Sequence, residues 1–409
     1  MLKLNLHGLL YSSNAQTDCF FSNISLSKSC KEDLLDARRS IREHLKKNLA
    51  TKLAAKAPGA TASGVKGASP RFFTQGSWAY KTINSPCQTP PQQADLDDGT
   101  YLPFSYIETK PPHEMSEILF ASVEELLEEI AEEKKWQVCN KNNNCTRVII
   151  SYDKHIDVPV YSIPDEDFVT LTASLELAKS HVMAINESLE SIFATDRDRA
   201  YAILESLDEQ QWNDMPEGVL MATKDKGWVE SDPRPIRDWV TEQVKTKGEQ
   251  LRRVMRYMKA WRDHETWKID DPKSILLMVA VDRAFQAAKP GRDDLALLDV
   301  LQKLPSILQG QVLNPATLDR PPEEQEDLAL RLDKKCIRQD VVQRLERFYA
   351  ELEVAVNNSP SPEHSCDILV KHLGQRVPYQ PSRVGQDTVR STTVEKTKAV
   401  APIGQVHSA

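Results

Sequence analysis

Three acidic residues lie along the chain at positions that suit metal-dependent chemistry on phosphate groups. Asp95 and Asp97 are two positions apart, so on a strand both carboxylates project from the same face. Asp157 lies in a second predicted strand, on the face opposite the apolar residues of that strand. Carboxylates held together repel each other unless a cation lies between them, and hard oxygen ligands suit Mg²⁺. The sequence therefore predicts that these three acids bind Mg²⁺.

The three carboxylates form the ligand set expected of a two-metal site for phosphoryl transfer. One cation activates the attacking hydroxyl, and the other holds the triphosphate and the leaving pyrophosphate. We therefore expect two Mg²⁺ per active site, with Mn²⁺ as the alternative metal. Taken alone, Asp95 and Asp97 are also explained by a solvated edge strand. Asp98 is expected to form a turn before Gly99, and His155 to hydrogen-bond within the sheet, with a place beside the metal as its alternative.

A Gly-Ser pair precedes the acids along the chain. Gly76 and Ser77 lie where the predicted strand 71–75 meets a short predicted helix at 77–81. Glycine lets the backbone approach a phosphate closely, and the N–H groups of a first helical turn bind anions. A purely structural turn explains Gly76 and Ser77 equally well when they are taken alone. The order of a Gly-Ser turn, an Asp-x-Asp strand and a third aspartate is much more specific than any one of these features.

Periodic patterns divide the elements that position these residues into a mixed first part and a helical second part. Apolar residues recur at helical spacing over 31–56 and 115–135, and β-branched residues mark strands at 147–150 and 155–161. The later patterns are helical, at 236–264, 273–288, 294–308 and 324–356. From Gln380 onward the chain contains no aromatic residue and no periodicity, so 379–409 is predicted to be a disordered tail.

The composition excludes several classes of protein. The chain has 409 residues, and its net charge of −8 makes it a poor candidate for binding duplex DNA. The longest apolar run, 275–281, is far shorter than the roughly 20 residues of a membrane-spanning helix. None of the seven cysteines forms a C-x-x-C pair, which argues against a zinc ribbon. We therefore expect a cytoplasmic protein with no membrane contact and no duplex DNA partner.

Five segments closely resemble the bacterial cGAS-like nucleotidyltransferases (CD-NTases), in the DncV branch of cyclic GMP-AMP synthases. The matching segments are 70–80, 95–101, 155–161, 228–233 and 258–263. The resemblance, which runs from about residue 30 to 375, implies an α+β fold in which a polymerase-β-like nucleotidyltransferase core, a mixed sheet with helices, packs on an all-helical domain. The core would occupy 1–175 with its long N-terminal helix, and the helical domain 176–378. The active site would lie in the cleft between them.

The same resemblance implies roles for individual residues. The Mg²⁺ ligands and catalytic residues would be Asp95, Asp97 and Asp157. Phosphate and nucleotide contacts would come from Gln75, Gly76, Ser77, Tyr80, Arg147 and Ser231. From the helical side, Lys259 and Ser274 would hold a triphosphate, and Asp319 would recognise a purine edge. Tyr80 also suits base stacking, which tolerates either purine. For Lys259, the alternative is exposure to solvent. The basic face of helix 31–56 is expected either to be solvated or to bind a small anionic ligand.

The implied activity is the joining of ATP and GTP into a cyclic dinucleotide second messenger, 3′,3′-cyclic GMP-AMP, with release of pyrophosphate. Asp157 is the expected general base. The implied setting is antiphage (CBASS) defence, with a downstream effector and an E1/E2-like conjugating enzyme that acts on the C-terminal residue Ala409; an idle end is the alternative for the tail. Two other functions are possible for a chain of this fold: synthesis of linear oligonucleotides, or nucleotide sensing without catalysis. The three intact aspartates argue against the non-catalytic sensor.

Overall fold

A computed structural model describes residues 2–57, 69–104, 112–173, 192, 196–203, 206, 218–265 and 271–386. The described residues from Lys28 to Glu230 form a mixed sheet with covering helices, and a short N-terminal segment precedes them. In chain order these elements are β1 (Leu4–Asn5), α1 (His7–Leu10), α2 (Phe20–Asn23), α3 (Lys28–Lys56), β2 (Arg71–Gln75), α4 (Gly76–Ala79), β3 (Ala94–Pro103), α5 (Pro112–Lys134), β4 (Gln137–Cys139), β5 (Thr146–Ser151), β6 (Lys154–Val158), β7 (Val160–Ile163), β8 (Leu220–Thr223) and β9 (Gly227–Glu230).

The second part is helical, as the sequence predicts. Its elements are α6 (Arg234–Lys247), α7 (Glu249–His264), α8 (Ser274–Ala284), α9 (Asp293–Gln309), α10 (Leu330–Lys334), α11 (Arg338–Asn357), α12 (Pro362–Leu373) and β10 (Gly385–Gln386), with 3-10 turns at Pro315–Thr317, Pro322–Glu324 and Pro381–Arg383. The pattern at 236–264 yields two helices, because Gly248 breaks it with φ of 89°. Among the helices that the structure describes, none is long and apolar enough to cross a membrane.

The long strand β3 lies at the centre of an eight-stranded sheet. The sheet has the order β4-β5-β6-β3-β7-β8-β9, and β2 pairs with β3. β6 and β7 run parallel to successive halves of β3, while β2 is antiparallel to its middle. Pro159 separates β6 from β7, since proline has no N–H to donate to a ladder. Because of this break, β6 pairs with β5, whereas β7, the next strand along the chain, pairs with β8.

Helices α3 and α5 cover one face of the sheet with an apolar layer. The α3 residues of this layer follow helical spacing and are buried: Leu34, Ile41, Leu45, Leu49 and Leu53. Across them lie Leu96 of β3 and Ile156 of β6, which are also buried. Burying such side chains contributes roughly 1.5–3 kcal/mol each to the stability of the fold. The layer therefore fixes the strands whose opposite face bears Asp95 and Asp157.

Part of the basic face of α3 turns inward, which differs from the expected solvated surface. Arg38 is buried and donates to Thr74 Oγ1, and Arg42 forms a two-pronged ion pair with Asp98 at 2.8 and 2.5 Å. Asp98 is 1% exposed, in the middle of β3. It is therefore a strand residue that ties β3 to α3, and not the turn residue that the sequence suggested. A buried carboxylate is retained in a fold when a charge of opposite sign pairs with it.

Two parts of the chain lie on the other side of the expected domain boundaries. β8 and β9 extend the core sheet to residue 230, although the sequence assigned 176–378 to the helical domain. The N-terminal residues Leu4 and Phe20 pack in the main apolar cluster of the helical part. At the other end, β10 pairs with β1, so the ordered chain continues past the expected start of the tail at 379. These long-range pairings leave no signal in local periodicity.

Candidate active site

Strand register brings the three predicted acids together. Gln75 pairs with Asp97 across the antiparallel β2–β3 ladder. In the parallel β3–β6 ladder Asp97 pairs with Asp157, and Asp95 pairs with His155. Paired residues on neighbouring strands project from the same face of a sheet. The carboxylates of Asp95, Asp97 and Asp157 therefore converge on one face, with the imidazole of His155 among them.

Asp95, His155 and Asp157 form a group that can hold a metal ion. Each offers one ligand atom, and these atoms lie within 4.8 Å of one another. His155 Nε2 is 2.9 Å from Asp95 Oδ1 and 3.9 Å from Asp157 Oδ1. The side chains of His155 and Asp157 are buried, whereas that of Asp95 is 43% exposed and opens to the cleft. The expected hydrogen bond of His155 is present, from Nδ1 to Gln93 Oε1 at 3.0 Å.

The charges of this cluster are unbalanced in a way that a divalent cation would correct. Burial, and then the charges of Asp95 and Asp157, raise the pKa of Asp97 well above its usual value. Burial also acts to raise the pKa of Asp95, but its interaction with His155 outweighs burial and lowers it. Asp95 Oδ1 and His155 Nε2 are buried atoms 2.9 Å apart, and neither has a further hydrogen-bond partner among the described residues. The residues present therefore fit a bound divalent metal.

Gly76 is the residue at which the Gly-Ser turn comes close to Asp97. Its φ is +59°, and a Cβ at this position would lie 1.9 Å from Asp97 Oδ2. Gln75, which the resemblance placed in the nucleotide cradle, is buried on the same face of the sheet as Asp97. Its amide donates to the hydroxyl of Tyr101 at 2.5 Å and accepts from that of Tyr161 at 3.1 Å. Two tyrosine hydroxyls thus occupy the amide of Gln75, while Gly76 leaves room for the carboxylate of Asp97.

Arg147 and Tyr80 lie on opposite sides of the acids. Arg147 donates to both oxygens of Asp157, at 2.7 and 2.8 Å, so the structure pairs it with an acid that the sequence assigned to Mg²⁺. Tyr80 directly follows α4, which contains Ser77, and packs against the apolar cluster of the helical part. Burial raises the pKa of the Tyr80 phenol, which therefore stays neutral. Tyr80 joins the turn to the helical side of the cleft.

The helical side of the cleft contributes a buried lysine. Lys259 is 5% exposed and donates to the carbonyl oxygen of Thr82 at 2.7 Å, which excludes the solvent-exposed alternative. Burial, and then the charge of Arg262, lower the pKa of Lys259 to about 7. Its charge acts on Asp95 and Asp97, so it lies within electrostatic range of the acids. The negative charge of a triphosphate bound nearby would raise the pKa of this amine and favour its charged form.

Ser274 and Lys259 are connected through Arg262. Ser274 is the first residue of α8, and its hydroxyl accepts from Arg262 Nη1 at 2.8 Å. The same guanidinium donates to Asp263 Oδ1 at 2.6 and 2.9 Å. Because Arg262 lies three residues after Lys259 on α7, its bond to Ser274 places Ser274 near the same end of this helix as Lys259. Among the described residues, Lys259 bonds to a backbone oxygen and Ser274 to Arg262, and neither bonds directly to Asp157.

Ser231 and Asp319 lie on a more distant rim. The N–H of Ser231, just after β9, donates to Val219 O at 3.3 Å. Asp319 is exposed in the turn that follows Pro315–Thr317. Arg320, its neighbour, lies 3.5 Å from Glu230 Oε2, which holds this turn beside the end of β9. Ser231 and Asp319 therefore share one edge of the cleft, whereas Ala409 lies outside the described residues.

The sequence predicted a hydrogen-bonding role for His155, with a place beside the metal as the alternative. It gave no prediction for Gln93, which contacts His155, or for Thr82, which contacts Lys259. The signal for His155 was present, because a residue two positions before Asp157 must share its strand face. Gln93 precedes β3 and Thr82 follows α4, in segments without periodicity. Their contacts come from chain segments that are distant in sequence, so no local pattern marks them.

A mixed sheet with two acids on one strand and a third on its parallel neighbour, faced by a Gly-Ser turn and a helical layer, defines a nucleotidyltransferase. The family model "Cyclic GMP-AMP synthase DncV-like, nucleotidyltransferase domain" matches residues 70–161, and "Cyclic GMP-AMP synthase, C-terminal domain" matches 248–384. A cyclic GMP-AMP synthase of Escherichia coli strain TW11681 is 32% identical over 319 residues, 75% of this chain and 68% of that relative. The chain belongs to the family of DncV-like cyclic GMP-AMP synthases.

Other relatives agree with this membership. The cyclic GMP-AMP synthase of Vibrio cholerae serotype O1 is 35% identical over 260 residues, a match that spans 63% of this chain and 57% of that relative. Among solved structures, Vibrio cholerae DncV with the linear intermediate 5′ pppA(3′,5′)pG has a TM-score of 0.70 at 23% identity, covering 95% of this chain and 100% of that one. The 3′-deoxy GTP form of Escherichia coli DncV has a TM-score of 0.65 at 24% identity, covering 93% and 99%. These structures share the fold.

Proposed function

We propose that this chain joins ATP and GTP into a cyclic dinucleotide, 3′,3′-cyclic GMP-AMP, and releases pyrophosphate. The observation that carries the proposal is the convergence of Asp95, Asp97 and Asp157 beside the Gly76 turn, with buried Lys259 across the cleft. The names of the curated relatives and the linear intermediate in the DncV structure support this reaction over other nucleotidyl transfers.

In the proposed reaction the 3′-hydroxyl of one nucleotide attacks the α-phosphate of the other, and the bond to the β-phosphate oxygen breaks as pyrophosphate leaves. A second attack of the same kind closes the ring. Two bound divalent cations, Mg²⁺ or Mn²⁺, would supply Lewis-acid activation of the hydroxyl and charge stabilisation of the phosphates. Asp95, Asp97 and Asp157 would hold them, and Lys259 and Ser274 would bind the triphosphate.

Asp157 is the proposed acceptor of the hydroxyl proton. Both of its oxygens accept hydrogen bonds from Arg147 in the structure. Movement of Arg147 away from Asp157 would make the carboxylate a stronger base, because the paired guanidinium stabilises its unprotonated form. A contact between Arg147 and the nucleotide, as the resemblance implies, provides the alternative partner that such a movement needs.

Product analysis separates the candidate functions. The purified chain is incubated with Mg²⁺ and labelled ATP, GTP, CTP and UTP, treated with phosphatase, and its products are identified by mass spectrometry. A ring has no terminal phosphate, so a phosphatase-resistant dinucleotide that contains one adenine and one guanine is expected. Products with phosphatase-sensitive ends would indicate a linear oligonucleotide synthase, and the absence of any product would indicate a nucleotide sensor.

Replacement of Asp319 should alter base choice more than total turnover. A carboxylate can accept from N1–H and the exocyclic amine of guanine, and adenine does not offer that pair. Loss of such a partner changes discrimination by about 1–3 kcal/mol, which is about five- to 150-fold in the product ratio. The measurement is the ratio of products from equal ATP and GTP in Asp319→Ala. Glu323→Ala, an exposed acid in the next turn, is the control; an unchanged ratio in Asp319→Ala contradicts the guanine contact.

Lys259→Met should change the pH dependence of stability in a defined direction. The pKa of Lys259 is lowered to about 7, below its usual value near 10.5, so between these pH values the unfolded chain binds a proton that the folded chain lacks. The free energy of unfolding of the wild type therefore gains about 1.4 kcal/mol per pH unit over this window. The variant lacks this gain, so urea unfolding at pH 6, 7.5 and 9 should favour Lys259→Met at the lowest pH. A constant difference between the two proteins would contradict the buried amine.

The proposed partners are the nucleotides, a downstream effector that binds the cyclic product, and an E1/E2-like conjugating enzyme that acts on the carboxylate of Ala409. The proposed setting is antiphage defence in the bacterial cytoplasm. Arg383 donates to the backbone oxygens of Gly8 and Asp18, and β10 pairs with β1. A tail deletion that leaves these contacts intact must therefore begin at residue 387 and not at 380.

Deletion of 387–409 should leave synthesis in vitro nearly unchanged and abolish conjugation in cells that contain the whole operon. Removal of Ala409 alone should abolish conjugation equally, because it moves the reacting carboxylate to Ser408 and shortens the segment that enters the conjugating enzyme. The measurement is a blot for high-molecular-weight forms of the synthase. Unaltered conjugates after removal of Ala409 would show that the tail is an idle end with respect to this partner.

A further inference from the structure

Arg262 is held in one orientation near the end of α7. Its Nε and Nη2 atoms donate to Asp263 Oδ1 at 2.9 and 2.6 Å, and Nη1 donates to the carbonyl oxygen of Pro272 at 3.3 Å. The side chains of Arg262 and Asp263 are only 13% and 14% exposed, so water competes weakly for these bonds. Because the guanidinium is planar, fixing several of its N–H groups also fixes the direction of the others.

A side-chain contact ties this helix end to the strand that bears the acids. The carbonyl oxygen of Asp263 accepts from Gln92 Nε2 at 2.8 Å, and Gln92 lies three residues before Asp95. The other terminal atom of Gln92, Oε1, accepts from the backbone N–H groups of Cys87 and Gln88 at 2.8 and 3.0 Å. Both ends of this amide are therefore engaged, and they hold Asp263 close to the start of β3.

The bond between Arg262 and Ser274 decides how the serine hydroxyl can donate. Arg262 Nη1 lies 2.8 Å from Ser274 Oγ. An arginine side chain has donors and no acceptor, so the oxygen of Ser274 accepts in this bond. The hydrogen of the hydroxyl is thereby left for another acceptor, and none of the described residues accepts it. The oxygens of a triphosphate are charged acceptors, so they suit this hydrogen.

We propose that Arg262 is a positioning residue for the triphosphate of the nucleotide that is attacked. It acts through Ser274: the guanidinium, anchored on Asp263, donates to the serine oxygen and so directs the hydroxyl hydrogen to the phosphates. Among the described residues Arg262 bonds to Asp263, Pro272 and Ser274, so most of its own donors are already engaged. The inference rests on the proposed function for the identity of the ligand, a nucleoside triphosphate, but nucleotide binding tests it separately from synthesis of a dinucleotide.

The test compares the binding of a non-hydrolysable ATP analogue and of AMP, each with Mg²⁺, to the full chain by isothermal titration calorimetry. In Arg262→Gln and in Ser274→Ala the analogue should bind about tenfold more weakly, whereas AMP, which lacks the β- and γ-phosphates, should bind as it does to the wild type. The double variant should lose no more than Ser274→Ala alone, because Arg262 acts through that hydroxyl. Arg262→Lys should show the same loss as Arg262→Gln, since lysine keeps the charge but lacks the planar fork.

Arg338→Gln is the matched control. Arg338 also forms a two-pronged pair with an acid, Asp333, at 2.6 Å for both bonds, and its Nη1 donates to the carbonyl oxygen of Leu308 at 2.6 Å. Its side chain is 19% exposed, close to the value for Arg262, and its bonds do not involve Ser274. This variant therefore removes a comparable arginine of the helical part, and both nucleotides should bind it as they bind the wild type.

Several results would overturn the proposal. Unchanged binding of the analogue in Arg262→Gln would do so, as would losses that add up in the double variant, because Arg262 would then not act through Ser274. Restored binding in Arg262→Lys would reduce Arg262 to a source of charge, and an equal loss for AMP would indicate a general disturbance of the fold. A wild type that does not prefer the analogue to AMP would remove the triphosphate site itself.

The question is decided even if Arg262→Gln does not fold. Arg262→Lys keeps a cation beside Asp263, and the same preferential loss of the analogue over AMP is expected there. A chain that shows the expected binding but makes no dinucleotide would count against the proposed reaction and not against the role of Arg262.

Discussion

The double variant Asp95→Asn, Asp97→Asn is expected to lose dinucleotide synthesis by about 1,000-fold or more while it keeps its fold. Both carboxylates lie on the open face of β3, whereas the apolar layer lies on the other face and includes Leu96. Loss of the groups that hold the catalytic charges removes on the order of 4 kcal/mol of transition-state stabilisation, which corresponds to this rate. The measurements are product formation with Mg²⁺ and circular dichroism of both proteins.

The stability of the same variant distinguishes a functional from a structural role of the acids. Burial, and then the charges of Asp95 and Asp157, raise the pKa of Asp97, so the wild type loses stability as pH rises above the ordinary carboxyl range. Asparagine carries no charge and removes that loss. With EDTA at pH 8, this gain at Asp97 and the loss of the stabilising Asp95–His155 interaction act in opposite directions, so the melting temperature of the double variant should stay close to that of the wild type. Asp225→Asn, in the β8–β9 turn, is the control, and normal synthesis by the double variant would overturn the site.

Gly76→Ala is expected to reduce synthesis by about 100-fold or more. The added Cβ would lie 1.9 Å from Asp97 Oδ2, and the φ of +59° is costly for any residue with a side chain. Either Asp97 or the Gly-Ser turn must move, and a displacement of about 1 Å in an active site can cost roughly 100-fold in rate. The measurement is kcat and KM for each nucleotide beside the melting temperature.

Gly291→Ala separates the two effects of this substitution. Gly291 has φ of +64°, and nothing lies within 4 Å of its Cβ position, so alanine there has the same backbone strain without the collision. The two variants should lose similar stability from strain, about 1–2 kcal/mol, whereas only Gly76→Ala should lose synthesis. Equal activity of the two variants would show that the space above Asp97 is not needed for the reaction.

Local patterns in the sequence predicted the elements that carry the acids. The predicted strand 71–75 is β2, the helices predicted at 31–56 and 115–135 are α3 and α5, and the predicted Mg²⁺ ligands converge on one face. Alternation along a strand decides which side chains share a face, and helical spacing decides which residues face a core. Both signals are local, so they can be read without the tertiary structure.

The resemblance to a family added what local patterns do not contain. Lys259 and Ser274 lie far from the acids in sequence, and periodicity alone favoured a solvated lysine. The structure places Lys259 in a buried position against Thr82 O and joins Ser274 to the same helix end through Arg262. The resemblance identified these positions because it compares whole motifs, whereas the physical cause of the burial is packing between the two parts of the chain.

The sequence by itself determined the two-part α+β organisation, the acids of the site and the Gly-Ser turn, because each depends on neighbouring residues along one strand or helix. Tertiary structure alone decided that Asp98 pairs with Arg42, that Arg147 covers Asp157 and that His155 Nε2 faces Asp95. In each case strand register or helix packing brings two side chains together across the chain. Their charges and hydrogen bonds depend on distances of a few ångströms, which only the folded arrangement sets.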